Sequence, residues 1–204
     1  MKVTNYNDPF PHIIVDDLYN ENELSGIWQE LEFICNHDKM SLPSKGEAAV
    51  QDGEILKVNR VLFLDDVYTD AQVFSNICRI NKKVFSDKIF NHPNWFFVTT
   101  IPTNYNTLIS YYENESYYKR HQDSSDITIL TWFYKEPKKF IGGDLIMSVG
   151  NDEKIIKISN NRCLIFPSSI FHAVTQISMN EHYEGKMMGR VCMTQFCNRK
   201  DGRD

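Results

Sequence analysis

From Trp95 onward the chain is a succession of short β-rich runs: WFFVTT, TLISYY, ITILTWFY, DLIMSV, KIIKIS, RCLIF, HAVTQIS and RVCMTQF. Turn-forming clusters separate them. So many short strands in about 100 residues leave a sandwich, barrel or jelly roll as the ways to bury them. The first part reads differently. A β-branched run, Ile13 to Val15, lies between prolines and an acidic pair and predicts a strand. After Asn20, the residues Leu24, Ile27, Trp28, Leu31, Ile34 and Cys35 recur at helical spacing. Residues 36–56 are polar, hold Pro43, Gly46 and Gly53, and lack periodicity, which predicts a long loop and a candidate lid. A strand is expected around Val58–Leu64. A helix is expected near Asp70–Phe90, with Val73, Ile77, Ile80 and Val84 on one face. No repeat, low-complexity tract or linker divides the chain, so one domain is expected over 1–204.

Bulk properties narrow the class. Apolar residues make up 42% of the chain and charged residues 24%, a balance that can build a core without disulfides. The five cysteines form no CxxC pair and read as free thiols in a reducing compartment. No stretch approaches the ~18 apolar residues of a membrane span. The first twenty residues carry acidic side chains within their apolar run, so a secretory leader and a membrane partner are not expected. A net charge of −5 argues against nucleic acid as a partner. The expected location is cytoplasmic, bacterial or, for a viral chain, the host cytoplasm.

His121 and Asp123 stand two apart at what reads as a strand end. In extended backbone, residues i and i+2 face the same side, so an imidazole and a carboxylate converge while Gln122 faces away. His172 follows in CLIFPSSIFHAV, at the start of another strand. Two histidines and one carboxylate form a facial triad that holds iron(II) on one side and leaves positions open. An isolated His-x-Asp is more often a surface turn. The ordered company of these residues carries the argument.

In order, the chain contains Tyr112, His121-Gln122-Asp123, the run ITILTWFY, Gly142-Gly143-Asp144-Leu145, Ile165-Phe166-Pro167, His172 and Arg190. This order resembles the catalytic core of prolyl 4-hydroxylase-like 2-oxoglutarate dioxygenases. Pro9-Phe10-Pro11-His12 leading to Asp16-Asp17 is similar to the entry strand of related bacterial and phage members. The resemblance implies a mainly β (α+β) fold, a double-stranded β-helix (jelly roll) braced by N-terminal helices. Residues 1–94 would supply a strand and supporting helices, and 95–200 the catalytic core. It implies metal ligation by His121, Asp123 and His172, and cosubstrate binding by Arg190, Tyr112 and Thr194. Fe(II) is the implied metal, with 2-oxoglutarate and dioxygen as cosubstrates and ascorbate as a candidate accessory. The implied reaction is hydroxylation of a C–H bond with release of succinate and carbon dioxide, and Asp123 distinguishes it from halogenases that leave that position empty. Prolyl residues of a protein or peptide lead as substrate; a free amino acid or small metabolite, or a non-catalytic binding module, remain alternatives.

One departure concerns the basic residue. Arg190 lies farther beyond His172 than the family pattern has it, and SMNEHYEGKMMG would be an enlarged hairpin loop. Lys186 is the rival, requiring a shorter loop. Residues 36–60 and 178–189 are the candidate substrate-facing loops. Gly142 and Gly143 are expected to supply a backbone turn closed to larger residues.

Overall fold

Residues of opposite parity along each long strand are buried against different partners, and that alternation builds two cores. The computed structural model describes residues 1–40, 50–51, 53–69 and 72–199. Its first strands are β1 (Lys2–Tyr6), β2 (His12–Asp16), β3 (Val50–Gln51), β4 (Glu54–Ile55), β5 (Lys57–Val58) and β6 (Arg60–Phe63). Then come β7 (Asn104–Tyr112), β8 (Tyr117–His121), β9 (Ile127–Phe133), β10 (Phe140–Ile141) and β11 (Leu145–Val149). The last are β12 (Asp152–Ile156), β13 (Arg162–Pro167), β14 (Phe171–Val174), β15 (Ser178–Met179) and β16 (Arg190–Asn198).

Seven strands form a major sheet in the order β1-β2-β13-β9-β16-β7-β6, and five a minor sheet in the order β12-β11-β14-β8-β5. From β7 onward the chain passes back and forth between them, which is the double-stranded β-helix. In β9, Ile129 and Phe133 join the outer core while Leu130 and Trp132 join the core between the sheets. In β16, Val191 and Met193 go outward and Cys192 inward. A strand buried on both faces loses the apolar–polar alternation of a half-exposed one, and that is why ITILTWF, buried throughout, shows no such alternation.

The helix α1 (Glu21–Cys35) covers the outer face of the major sheet through Ile27, Leu31 and Ile34. Asn20 caps it: its side chain accepts from the Glu23 amide, and the Glu23 carboxylate accepts from the Asn20 amide. Such a reciprocal cap fixes the helix start that the sequence spacing predicts.

Two expected elements differ. The helix expected over Asp70–Phe90 is broken into a short turn at Gln72–Phe74, a helix α2 (Asn76–Ile80) and a 3-10 segment at Asn81–Phe85. Ser75 starts a fresh helix by accepting from the Cys78 amide, while its hydroxyl donates to buried Glu30 of α1. Ile77 and Val84 still face the core, but Val73 is exposed. WFFVTT, expected as a strand, is the helix α3 (Trp95–Thr99), because Asn94 caps it at the Phe96 amide and only Phe97 is fully buried. A local cap here outweighs β propensity. The loop expected over 36–56 falls partly on 41–49 and 52, outside the described residues. Val50–Gln51 and Glu54–Ile55 form a small ladder. Among the described residues no helix is long and apolar enough to cross a membrane.

Candidate active site

His121 ends β8 and His172 lies in β14, directly opposite each other in the minor sheet. Asp123 follows two residues past His121, where its amide donates to the Ser168 carbonyl. One ligand atom from each of the three lies within 4.8 Å of the others. Both ring Nδ1 atoms face backbone carbonyls, His121 that of Lys119 at 2.8 Å and His172 that of Ile170 at 3.0 Å. Donation there fixes the tautomer and turns both Nε2 lone pairs toward Asp123, 3.7 and 3.5 Å from its carboxylate oxygens. Burial, reinforced by His172, pushes the His121 pKa down to about 3. Its neutral, ligating form therefore holds at physiological pH.

Asp123 is itself oriented. Thr128 Oγ1 donates to its Oδ2 at 2.6 Å, and Thr128 and Ser125 each share a 2.8 Å bond with Ser168. Gln122 points away and donates to the Ser169 carbonyl. Two imidazoles and a carboxylate, each held by a further hydrogen bond, are the donor set that suits iron(II) with open positions.

The triad opens into a cleft of about 520 Å³ between the sheets. Arg190, at the start of β16, lies at register with Tyr112 of β7 and lines it. Arg190 is 1% exposed, and among the described residues its Nε and Nη1 have no hydrogen-bond partner. Its Cζ stands 4.6 Å from the centre of the Tyr112 ring. Burial raises the Tyr112 pKa to about 12, against the pull of Arg190, so the phenol stays protonated and able to donate. Thr194 lines the same wall, its hydroxyl 3.8 Å from Cys192 Sγ. A buried cation with unpartnered N–H groups is the complement of a buried carboxylate. The residues present thus fit both a divalent iron and a dicarboxylate cosubstrate.

Gly143 makes room for this arginine. Its φ is +75°, and an added Cβ would lie 2.9 Å from Arg190 Cδ. At Gly142, with φ +76°, a Cβ would overlap the Gln176 carbonyl oxygen. Lys186 is exposed and does not line the cleft. Nor does 178–189 line it: Ser178 and Met179 pair with β10, and Tyr183 lies beside that ribbon over a separate groove.

Two contributors escaped the sequence reading, and a third overlaps the stretch 36–60 that it named without singling out a residue there. Thr128 and Ser168 orient Asp123, and Thr128 shares the inward parity of Leu130 and Trp132, a signal that could have singled it out. The third is the segment 57–63. It edges the minor sheet as β5 and the major sheet as β6, closing one side of the cleft. Lys57, Val61 and Phe63 face inward, and between them Asn59 is buried, its Oδ1 without a hydrogen-bond partner among the described residues. Arg60 and Leu62 face the other way, Arg60 onto the Tyr111 ring.

Comparison with known proteins follows the same outline. Residues 107–198 match the 2OG-Fe(II) oxygenase superfamily. A PKHD-type hydroxylase of Gloeothece citriformis is 34% identical over 80 residues, which are 35% of this chain and 36% of that protein. The chain therefore spans about a third of that relative's length. A Pseudomonas putida prolyl-4-hydroxylase superposes with a TM-score of 0.60 at 11% identity, covering 93% of each chain. A Trichoplax adhaerens prolyl hydroxylase, solved with a hypoxia inducible factor oxygen degradation domain peptide fragment, gives 0.63 at 15% identity, over 92% of this chain and 83% of that one. The match to the 2OG-Fe(II) oxygenase superfamily thus lies over residues 107–198, and the chain as a whole shares the fold of these prolyl hydroxylases.

Proposed function

We propose that this chain is an Fe(II)- and 2-oxoglutarate-dependent dioxygenase that hydroxylates a C–H bond, with prolyl residues of a protein or peptide as its substrate. One observation carries the proposal: a buried arginine with unpartnered nitrogens in the same cleft as a His-Asp-His cluster. His121, Asp123 and His172 would hold the metal. When bound, iron and 2-oxoglutarate together supply oxidising power from dioxygen, with succinate and carbon dioxide as products. Arg190 pairs the far carboxylate of the cosubstrate through two N–H groups. Tyr112 donates a further hydrogen bond, and Thr194 orients the same molecule from the adjoining position on β16. Leu130, Leu145 and Val174 line the cleft with apolar surface and keep water from the reacting centre. Thr128 holds the carboxylate of Asp123 beside the two imidazoles, where it would serve as a metal ligand.

The prolyl substrate rests on likeness to the hydroxylases above, one of them solved with a peptide. The test is succinate formation from 2-oxoglutarate by the iron-loaded protein, with prolyl peptides and with free amino acids, beside Asp123→Ala. Peptide-stimulated succinate lost in the variant supports the reading. Stimulation by free amino acids alone moves the substrate to a small molecule, and no succinate under any condition refutes the enzyme.

A further inference from the structure

Among the described residues, three charged side chains other than histidine line the cleft: Asp123, Arg190 and Lys57. Under the function proposed above, Asp123 faces the metal and Arg190 a cosubstrate carboxylate. Lys57 has no task. It stands on β5, half-buried, with its side chain turned into the cleft and Nζ 5.0 Å from the centre of the Tyr118 ring. Tyr118 in turn stacks on His121, their ring centres 3.5 Å apart, so Lys57 lies within one side chain of the metal cluster. Among the described residues no carboxylate lies within ion-pair distance of it, whereas Lys119 on the facing strand pairs with Glu54 at 2.8 Å. Burial lowers its pKa, with attraction from Asp123 acting against the shift. With a divalent metal and a dianionic cosubstrate in place, their charges cancel, as do those of Asp123 and Arg190. One positive charge is left over, and it sits on Lys57.

We propose that Lys57 is a specificity residue that binds a carboxylate of the substrate beside the reacting carbon. The inference rests on the oxygenase reading. Two sources offer that chemistry, an acidic side chain flanking the target residue of a peptide and the α-carboxylate of a free amino acid. Geometry supports the role: the side chain is anchored on a strand rather than a loop, and its ammonium stands over the Tyr118 ring, so little freedom is lost on pairing. A half-buried charge-assisted contact is worth about tenfold in affinity or more.

The test uses Mn(II)- and 2-oxoglutarate-loaded protein under binding conditions, as wild type, Lys57→Met and Lys57→Glu. Met keeps an unbranched stem and removes the charge. One arm compares peptide pools carrying Asp or Glu with matched pools carrying Asn or Gln. The other compares free amino acids with their amides. The expected result is at least a tenfold preference for the acid form in one arm, abolished by Lys57→Met and inverted by Lys57→Glu, with 2-oxoglutarate affinity unchanged. No acid preference in either arm, or a preference that survives Lys57→Met, overturns the inference. A variant that instead loses 2-oxoglutarate affinity reassigns Lys57 to the cosubstrate and overturns it too. Failure of the wild type to bind metal and 2-oxoglutarate together marks the failure of the oxygenase reading itself.

Discussion

Replacing Arg190 by methionine separates what the residue does for the fold from what it does for the cosubstrate. In the free protein the guanidinium is buried with two nitrogens unpartnered. A buried unsatisfied donor costs ~1–3 kcal/mol, and more when charged. The Tyr112 ring beneath it returns up to ~2 kcal/mol as a cation–π contact. Methionine fills much of the volume without the charge, so the cosubstrate-free variant should be as stable as wild type, or more stable by ~1–2 kcal/mol. Binding should show the opposite sign. Without the fork, a cosubstrate carboxylate is left buried and unpaired, a loss of about 2–5 kcal/mol, or roughly 30- to several-thousand-fold in affinity. The assay is calorimetric titration of 2-oxoglutarate into Mn(II)-loaded protein, with thermal unfolding in its presence and absence. Wild type at a hundredfold excess over its Kd should gain ~2.7 kcal/mol, and the variant at that concentration almost nothing. Arg190→Lys should recover part of the affinity, since an ammonium is a point charge and not a fork, and Lys186→Ala should change little. A variant that keeps its 2-oxoglutarate affinity while losing several kcal/mol of stability would refute the assignment and make Arg190 a structural residue.

Other outcomes follow from the same geometry. Alanine at His121, Asp123 or His172 should abolish succinate formation and metal binding while leaving the circular dichroism spectrum intact, because the two sheets pack without the metal. Thr128→Val removes the 2.6 Å bond that orients Asp123 and should weaken metal affinity by about 10- to 100-fold in a Mn(II) titration, with thermal stability little changed. Gly143→Ala sets a Cβ against Arg190 and demands a left-handed backbone costing roughly 1–2 kcal/mol, so its 2-oxoglutarate affinity should fall more than its metal affinity. His12 is fully buried with its pKa lowered from 6.5 to about 4, chiefly by burial. The unfolded chain then binds the extra proton first, so stability is present above pH 6.5 and is lost as pH falls toward 4, by at most about 3 kcal/mol. Chemical denaturation across that range should show a shallower acid loss in His12→Phe than in wild type.

The β-rich half was legible because its signal is local: short β-rich runs cut by turns left a sandwich, barrel or jelly roll, and the family resemblance singled out the jelly roll. The metal-ligand candidates were legible for the same reason. An i, i+2 pair at a strand end needs only strand geometry to converge, and the second histidine stands at the start of a neighbouring strand. Arg190 was harder, since loop length alone could not separate it from Lys186; its placement depends on the register of β16 with β7, a long-range property. The broken helix after residue 70 was missed because apolar spacing does not reveal that Ser75 restarts the chain by serving both Glu30 and the Cys78 amide. α3 was missed because aromatic residues suit strands unless a cap intervenes. Lys57 lay within the stretch 36–60 named as substrate-facing but was not singled out, because its significance comes from one segment edging both sheets, which only the folded chain displays.

The most direct measurement is an anaerobic crystal structure with Mn(II) and 2-oxoglutarate. The account predicts one metal ion about 2.0–2.3 Å from His121 Nε2, an Asp123 carboxylate oxygen and His172 Nε2, with open positions facing the cleft. The far carboxylate of the cosubstrate should lie across the Arg190 guanidinium within hydrogen-bonding distance of Tyr112. Metal bound at other residues, or a cosubstrate whose far carboxylate leaves Arg190 unpaired, would contradict it.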